Sequence, residues 1–335
     1  MALILTGDDV EAALPMAECI ASQERAFREH ALGTARVPPR IVLGVPEHDG
    51  VYVAMPASLL QAAVDTGESS GALAVKVLTF YKDNPDRTGR PSISATVLLH
   101  DPRDGALLAI MEGAALTRLR TAGGSGVATR YLARADASVV GVLGSGGEAE
   151  THLLAMAEVR PVREARVYSR NPARRAAFAT RMAARLGFPV VPTSDARGAV
   201  EGADIIVTVT TAGEPIVDSA WIADGAHINC IGSGSPERRE LDDATVSRAK
   251  VVVDTRESAL AEAGDLLIPM SKGLITADWI HAELGEVVTG RRPGRTSDRE
   301  VTLFKSVGVA LQDVAAAAAA YRQARAMGLG RTLDL

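Results

Sequence analysis

The sequence predicts an α/β protein with two domains, and three observations lead to this prediction. The chain has 335 residues, which is long for a single domain. Its middle part alternates short apolar runs with helical stretches, whereas its first 120 residues contain strand-forming runs joined by turns. A glycine-rich turn, "VLGSGGEA", follows the first apolar run of the middle part.

The composition excludes several classes of protein. Hydrophobic residues make up 47% of the chain but aromatic residues only 4%, so alanine, valine and leucine must form most of the core. The formal net charge of −5 is spread without blocks of like charge, which argues against nucleic acid or an anionic membrane as partner. No apolar run approaches the ~20 residues of a membrane span, and the N-terminus lacks the basic region of a signal peptide. Because Cys19 and Cys230 are too few for a disulfide framework, we expect reduced thiols and a cytoplasmic protein.

The first part of the chain is expected to form an α+β domain. A single capped helix is predicted over 6–33. The strand-forming stretches that follow are "VPPRIVLGVPEHDGVYVAMPASLL", "GALAVKVLTFYKDN" and "SISATVLLHDPRDGALLAIMEG". Turns such as "DPRDG" between them are typical of a mostly antiparallel sheet. The alanine-rich stretch 306–330 is predicted to be a helix that returns to pack beside this domain.

The middle part predicts a parallel sheet. Uninterrupted hydrophobic strands separated by helices form sheets that are covered on both faces. Six such strands are predicted, over 139–143, 165–169, 189–193, 204–210, 226–232 and 249–255. Six is the number in a complete dinucleotide-binding (Rossmann) domain. We therefore expect a Rossmann domain over 121–309, and a substrate-binding and dimerisation domain from 1–120 plus 310–335.

The glycine turn fits this interpretation. Gly144, Gly146 and Ala149 form G-x-G-x-x-A directly after a buried strand and at the start of a helix. The first glycine permits the tight turn, the second lets the backbone approach a pyrophosphate, and the small third residue lets helix and strand pack closely. Such a string is weak evidence alone, but in an alternating domain it indicates dinucleotide binding. The expected cofactor-binding residues of this loop are Gly144, Ser145, Gly146, Gly147, Glu148 and Ala149.

The end of the second predicted strand decides between NAD and NADP. A site that prefers NAD places Asp or Glu there, to bind the ribose hydroxyls. This chain has Ser169, Arg170 and Asn171, followed by Arg174. The Arg170 guanidinium can pair with a 2′-phosphate, whereas the arginines further on also fit a solvated helix start. We expect all four residues to bind the cofactor, with NADP(H) preferred and NAD(H) possible.

Three cations of the N-terminal part are candidates for substrate chemistry. Arg40 follows "VPP", which sets an extended backbone before a strand. Lys76 lies in the apolar strand "ALAVKVLTF", where an ammonium is costly unless it is paired. Arg120 lies in "LTRLRTAGG", at the junction of the two domains. Each also fits an ordinary surface cation, but together they suggest a carboxylate clamp with a proton donor. We expect all three to bind substrate and Lys76 to be catalytic.

In combination, these segments resemble the ornithine cyclodeaminase and mu-crystallin family. The matching segments include "PPRIVL", "GALLAIMEGAALTRLRTAGGSGVATRYLAR", "VLGSGGEAETHLLA" and "HINCIGSGSPERRELDD". The resemblance implies a Rossmann domain joined to an N-terminal sheet domain that forms a homodimer. It also implies that Arg40 and Arg120 hold a substrate carboxylate, with Lys76 beside the reacting carbon. Thr121 would lie near the cofactor phosphates and Ser306 near the nicotinamide.

Further cofactor contacts are expected after the later strands of the Rossmann domain, and no metal site is expected. The residues concerned are Thr208, Thr210, Ile231 and Gly232.

Two departures from the family pattern affect the expected activity. The usual glutamine of the phosphate loop is Glu148 here, and we expect its side chain to point away from the phosphates. Cyclodeaminases carry an aspartate that handles the side-chain amine of the substrate, and this position falls on Gly234. Because glycine can neither bind an ammonium nor move a proton, the resemblance favours the reductase members of the family.

Three hypotheses follow for the function. In the first, an NAD(P)H-dependent enzyme acts on the C=N or CH–NH group of a small α-imino or α-amino acid, as a ketimine or cyclic imine reductase or an amino-acid dehydrogenase. In the second, the chain is an ornithine cyclodeaminase with a rearranged side-chain pocket, which Gly234 disfavours. In the third, it is a non-enzymatic protein that binds NADP(H) and a small ligand. The three retained cations favour an enzyme.

Overall fold

The chain folds into two compact units, each containing an eight-stranded sheet. The computed structural model describes residues 1–62 and 71–334. One unit, called here the terminal unit, comprises Met1–Thr121 together with Val309–Leu335, and the other, the central unit, comprises Ala122–Gly308. The α/β fold class predicted from the sequence is confirmed. No helix among the described residues is long and apolar enough to cross a membrane.

From the N-terminus onward, the chain runs through the following helices and strands. The first half contains β1 (Ala2–Leu5), α1 (Gly7–Ala13), α2 (Met16–Leu32), β2 (Ala35–Arg36), β3 (Ile41–Val45), β4 (Gly50–Leu59), β5 (Ala72–Tyr81), α3 (Asn84–Thr88), β6 (Ile93–His100), β7 (Leu107–Glu112), α4 (Gly113–Leu132), β8 (Val139–Leu143), α5 (Gly147–Val159) and β9 (Glu164–Tyr168). The second half contains α6 (Pro172–Leu186), β10 (Val190–Pro192), α7 (Ala196–Val200), β11 (Ile205–Thr208), β12 (His227–Cys230), α8 (Asp243–Arg248), β13 (Lys250–Val253), α9 (Arg256–Glu262), α10 (Gly264–Ser271), β14 (Ile280–Glu283), α11 (Leu284–Val288), β15 (Thr302–Lys305), α12 (Ala310–Met327) and β16 (Arg331–Leu333).

The sheet of the terminal unit is mostly antiparallel, as expected. Its strand order is β16-β1-β7-β6-β5-β4-β2, with β3 also paired to β4, and only β1 and β7 run parallel. The alanine-rich helix α12 packs against α2 and against β4, β5 and β6. Because side chains alternate between the faces of a strand, Lys76 lies on the same buried face of β5 as Ala72 and Ala74. This face of β5 is therefore shielded from water as far as Lys76, and it becomes exposed only further along, at Phe80.

The single N-terminal helix predicted over 6–33 is wrong, because the structure has two helices there. Helix α1 begins with a capping box between Thr6 and Asp9 and ends before Leu14. Pro15 then interrupts the helical pattern, since proline has no N–H to donate and its ring clashes with the preceding turn. Helix α2 resumes at Met16 and ends at Gly33, which adopts the left-handed conformation.

The sheet of the central unit is parallel throughout, with the order β10-β9-β8-β11-β12-β15-β13-β14. All six predicted strands are present. The predicted count was nevertheless too low, because β14 and β15 complete the sheet and β15 lies between β12 and β13. Both are four residues long, and His281 and Lys305 interrupt their apolar runs. The strand order reverses beside β8, which is where sheets of this type bind ligands.

Candidate active site

The glycine turn after β8 has the geometry that a dinucleotide requires. Gly144 has φ +127°, and a Cβ there would lie 2.9 Å from the carbonyl oxygen of Val209, so other residues would be strained. Gly146 caps α5 without a side chain, and a Cβ built on it would meet nothing within 4 Å. Ala149 is fully buried against the sheet. The open N-terminus of α5, which begins at Gly147, therefore fits the pyrophosphate of a dinucleotide.

Glu148 lies beside a buried histidine on the flank of α5. Its Oε2 is 3.8 Å from Nδ1 of His152. The same nitrogen lies 2.6 Å from the Glu148 carbonyl oxygen, and Nε2 lies 3.0 Å from Ser125 Oγ. Burial lowers the pKa of His152 to about 4, so the ring is neutral at pH 7. That Glu148 points away from bound phosphates stays a prediction.

Some of the residues at the end of β9 make hydrogen bonds that hold the local structure, and others are exposed to solvent. Ser145 Oγ donates to Ser169 Oγ at 2.8 Å, which links the glycine turn to the end of β9. Asn171 accepts from the Arg174 amide at 2.9 Å and so caps α6. Asn171, Arg170 and Arg174 are all exposed. Arg170 and Arg174 are thus the exposed cations at this end of the sheet, and that Arg170 binds a 2′-phosphate stays a prediction.

A buried carboxylate that the sequence reasoning missed organises the next two loops. Glu240 is fully buried. Its Oε2 accepts hydrogen bonds from Thr208 Oγ1 at 2.6 Å and from the Gly232 amide at 2.8 Å. Its Oε1 accepts from both the amide and the hydroxyl of Thr210, each at 2.7 Å. The Ile231 amide donates to the Thr208 carbonyl oxygen at 2.9 Å. Three of the four predicted cofactor residues of these loops are thus held by one side chain, and the fourth, Ile231, is bonded to Thr208.

A second buried carboxylate holds the turn that follows β15. Asp254 Oδ2 accepts from Ser306 Oγ at 3.1 Å and from the amides of Val307 and Gly308 at 2.9 and 2.8 Å. Asp254 is fully buried, and Ser306 is almost so. The position of Ser306 is therefore fixed by Asp254, a residue whose role the sequence did not indicate.

The terminal unit brings together two of the three predicted cations. The Lys76 ammonium lies 2.9 Å from Asp313 Oδ1, and these side chains are only 2% and 1% exposed. Arg120 Nε lies 2.9 Å from the same oxygen, and Arg120 Nη1 donates to Gln312 Oε1 at 3.0 Å. Asp313 and Gln312 were not singled out from the sequence. The available signal was a pair of polar residues inside the alanine-rich helix α12.

The electrostatics of this cluster favour an anionic ligand. Burial lowers the pKa of Lys76 to about 8, with further lowering by Arg120 and Arg40 and opposition from Asp313. Lys76 and Arg120 share one carboxylate, so these three buried groups carry one positive charge in excess when all are ionised. A buried excess charge is costly unless a counter-ion joins it.

Arg40 lies one residue before a strand that pairs beside the strand segment opposite Lys76. It immediately precedes β3, where Ile41 pairs with Ala54 of β4. The next residue of β4, Met55, pairs with Lys76. Arg40 is partly exposed, and its charge contributes to the lowered pKa of Lys76.

Two other residues singled out from the sequence, Thr121 and Gly234, differ in their surroundings. Thr121 is buried in α4, and its hydroxyl donates to the Thr117 carbonyl oxygen at 2.7 Å. Gly234 is exposed, and a Cβ built there would meet nothing within 4 Å. The backbone at Gly234 thus leaves room but offers no functional group.

Comparison with known proteins identifies the class. Residues 1–328 match the ornithine cyclodeaminase/mu-crystallin family, and the chain belongs to that family. The Δ1-pyrroline-2-carboxylate reductase of Thermococcus litoralis, solved with NADH and L-proline, is 45% identical with a TM-score of 0.92, over 99% of this chain and 100% of that one. An archaeal alanine dehydrogenase dimer with bound NAD is 34% identical with a TM-score of 0.90, over 99% of each chain. Ketimine reductase mu-crystallin of Mus musculus is 40% identical over 289 residues, 86% of this chain and 85% of that protein.

Proposed function

We propose that the protein is an NAD(P)H-dependent oxidoreductase that reduces the C=N bond of a small α-imino acid, or oxidises the corresponding α-amino acid. The observation that supports this most is the cluster of Lys76, Arg120 and Asp313, which is buried and carries excess positive charge. The three relatives named above are reductases of cyclic imines or ketimines and an amino-acid dehydrogenase. Such substrates carry a carboxylate, which would balance the excess positive charge of the cluster.

The arginines bind and orient the substrate. A guanidinium pairs with a carboxylate through two parallel hydrogen bonds, which fixes the direction of the ligand as well as its charge. Arg120 is held by Gln312 and Asp313, so its side chain is ordered before substrate arrives. Arg40 and Arg120 would hold the carboxylate in this way, and its fixed position would align the imine carbon for reaction.

Lys76 supplies the proton. A reduced nicotinamide, when bound, supplies the hydride that the imine carbon gains. The electron pair of the C=N π bond goes to nitrogen, which takes a proton from the Lys76 ammonium and leaves a neutral amine. With a pKa of about 8, Lys76 is mostly protonated at pH 7 yet gives up its proton readily. Asp313 keeps the ammonium in place between cycles.

The central unit would hold the cofactor through the glycine turn and α5. Gly144, Gly146 and Ala149 fit a pyrophosphate for the steric reasons given above. We propose that NADP(H) is preferred, because Arg170 is exposed where an NAD enzyme carries an acid. NAD(H) remains a usable cofactor, since two of the relatives were solved with NADH or NAD.

We also propose that the terminal unit, besides binding substrate, forms a homodimer. Its sheet exposes large apolar side chains on both faces of β3 to β6, with Ile41, Leu43 and Tyr52 on one face and Val42, Phe80 and Ile93 on the other. Exposed apolar surface of this extent marks an interaction site, and a second copy is the occupant that the archaeal dimer supports. Both cysteines are free and buried, which fits the reducing cytoplasm.

The side chains of this protein do not favour either of the two alternative functions. A cyclodeaminase needs a group to handle the second amine, and Gly234 has none. A protein that only binds its ligands has no use for a buried lysine with a pKa of about 8, since burying that ammonium costs stability.

The decisive experiment follows NAD(P)H absorbance with a panel of cyclic ketimines, pyruvate with amines, and amino acids in the reverse direction. Oxidation of the cofactor by a cyclic or amine-derived α-imino acid is the expected result. Release of ammonia from ornithine without net cofactor oxidation would establish the cyclodeaminase instead. Tight cofactor binding with no turnover of any compound in either assay would favour the binding protein.

A further inference from the structure

The two loops that follow β11 and β12 are held by one side chain that has no access to solvent or ligand. Glu240 is fully buried, and its carboxylate accepts four hydrogen bonds from Thr208, Thr210 and Gly232 and a longer one from Cys230 Sγ. Two of the donors are backbone amides at the carboxyl edge of the sheet. Dinucleotides bind outside this edge in parallel sheets with a reversal of strand order.

Only a carboxylate satisfies this set of partners. One carboxylate oxygen faces the Thr210 amide and the other faces the Gly232 amide. A glutamine side chain would place its NH₂ group against one of these N–H donors in either of its two orientations. At a buried position no water can repair such a mismatch, so the loops would have to move apart.

Movement of these loops would reach the phosphate-binding turn. Val209 lies between the two threonines, and its amide donates to the Leu143 carbonyl oxygen at 3.0 Å. Its own carbonyl oxygen is the atom that a Cβ on Gly144 would approach to 2.9 Å. A Cβ on Gly232 would in turn lie 2.3 Å from the Thr210 carbonyl oxygen. The three loops are therefore packed backbone against backbone.

The backbone of Glu240 is itself held by hydrogen bonds, so the position of its carboxylate is fixed. Its amide donates to Asp265 Oδ1 at 2.8 Å, and its carbonyl oxygen accepts from the Ile216 amide at 2.8 Å. Asp265 Oδ2 lies 3.0 Å from the fully buried Lys305 ammonium of β15. Lys305 also donates to the Ser233 carbonyl oxygen at 2.6 Å, and this hydrogen bond also holds the loop after β12.

We infer that Glu240 is a positioning residue for the dinucleotide, and that it shapes the half of the site that takes the nicotinamide. The inference rests on the proposed function, since it needs a dinucleotide to bind the central unit. Strands β8 to β10 form the first mononucleotide-binding half, which takes the adenosine, and β11 and β12 belong to the second. Loss of the Glu240 carboxylate should therefore weaken binding of the nicotinamide half and spare the adenosine half.

The test compares Glu240→Gln with Glu237→Gln, which makes the same chemical change at an exposed position of the same loop. NADPH and NADH are titrated by their nicotinamide fluorescence, and AMP is titrated by calorimetry as a probe of the adenosine half. For Glu240→Gln the dissociation constants of NADPH and NADH should rise about tenfold or more. The dissociation constant of AMP should stay within about twofold of that of the unmodified protein. Glu237→Gln should match the unmodified protein in all three dissociation constants.

A second variant covers the case in which Glu240→Gln does not fold, as judged by thermal unfolding. Thr208→Val conserves volume and removes one donor to Glu240, and Thr208 is fully buried, so its effect on cofactor must act through the loop. A rise of roughly threefold in the NADPH constant is expected.

Three results would overturn the inference. If Glu240→Gln folds and binds NADPH as tightly as Glu237→Gln does, the inference is wrong, although the proposed function still stands. If Glu240→Gln weakens the binding of NADPH and of AMP equally, Glu240 stabilises the central unit as a whole rather than the nicotinamide half of the site. An unmodified protein that binds no dinucleotide would remove the inference and the proposed function together.

Discussion

At the scale of single residues, the environment of Lys76 determines what its ammonium can do. The side chain is 2% exposed and paired with Asp313. We expect Lys76→Ala to lower turnover of an imino acid by about 100-fold or more, because the nitrogen then lacks its proton donor. NADPH affinity and the unfolding temperature should change little. Steady-state kinetics with a fluorescence titration measure both, and Lys82→Ala, an exposed lysine beyond the same strand, is the control.

The conservative replacement makes this test sharper. Lys76→Arg keeps the charge, but a guanidinium does not give up its proton at neutral pH, so it should be nearly as inactive as Lys76→Ala. Turnover of Lys76→Ala close to the unmodified rate would show that Lys76 is a structural cation.

Asp313 should set the pH range of the reaction. Reduction needs the Lys76 ammonium, so kcat/KM is expected to fall as the pH rises through about 8. The Asp313 carboxylate opposes the lowering of the Lys76 pKa, so Asp313→Asn lowers that pKa further. The alkaline limb of the profile should therefore move to lower pH. Profiles of kcat/KM for both proteins measure the shift, and an unmoved limb would show that Asp313 does not tune Lys76.

The sequence predicted the cations of the site better than their partners. Lys76 could be singled out because an ammonium inside an apolar strand is costly. Asp313 and Glu240 could not, because a carboxylate within a helix or loop is ordinarily solvated, and only the tertiary structure buries these two. Their roles depend on residues far away in the sequence, such as Lys76 for Asp313.

At the scale of elements, the turn from β9 into α6 should decide cofactor preference. Asn171 uses its side chain to cap α6, which leaves Arg170 as the exposed cation beside it. We expect Arg170→Ala to raise the dissociation constant of NADPH about tenfold, as for a lost hydrogen bond to a charged group, with little change for NADH. Competition titrations measure both constants.

The control for this prediction is an exposed arginine within α6. Arg181→Ala should leave both constants unchanged, because its guanidinium pairs with Glu150. Tighter binding of NADH than NADPH by the unmodified protein would contradict the assignment of NADP(H).

The elements that were predicted wrongly show where local pattern fails. Strand β15 was missed because it is short and contains Lys305, which is acceptable there only because Asp265 neutralises it. The long N-terminal helix was divided by Pro15, a local signal that the apolar periodicity on both sides concealed. Strand β8, an uninterrupted apolar run that ends in a clear glycine turn, was predicted with the ends that it has in the structure.

At the scale of the whole molecule, the exposed apolar surface of the terminal unit predicts assembly. Strand β3 carries three consecutive apolar residues, Ile41, Val42 and Leu43, each about 60% exposed. Among the described residues, β3 pairs only with β4, so its outer edge has no strand partner. An exposed apolar edge strand is a site of association unless charge or proline blocks it.

A charge at Val42, the middle one of these three residues, should therefore dissociate a dimer without unfolding the chain. Val42 is 61% exposed, so Val42→Asp removes little packing within one copy, whereas in an interface the carboxylate would be desolvated without a partner. Light scattering at micromolar concentration should give a dimer for the unmodified protein and a monomer for Val42→Asp. Val191→Asp makes the same change on the edge strand β10 of the central unit, at an exposed position, and should stay dimeric. A monomeric unmodified protein, or two variants that dissociate alike, would show that β3 does not form the interface.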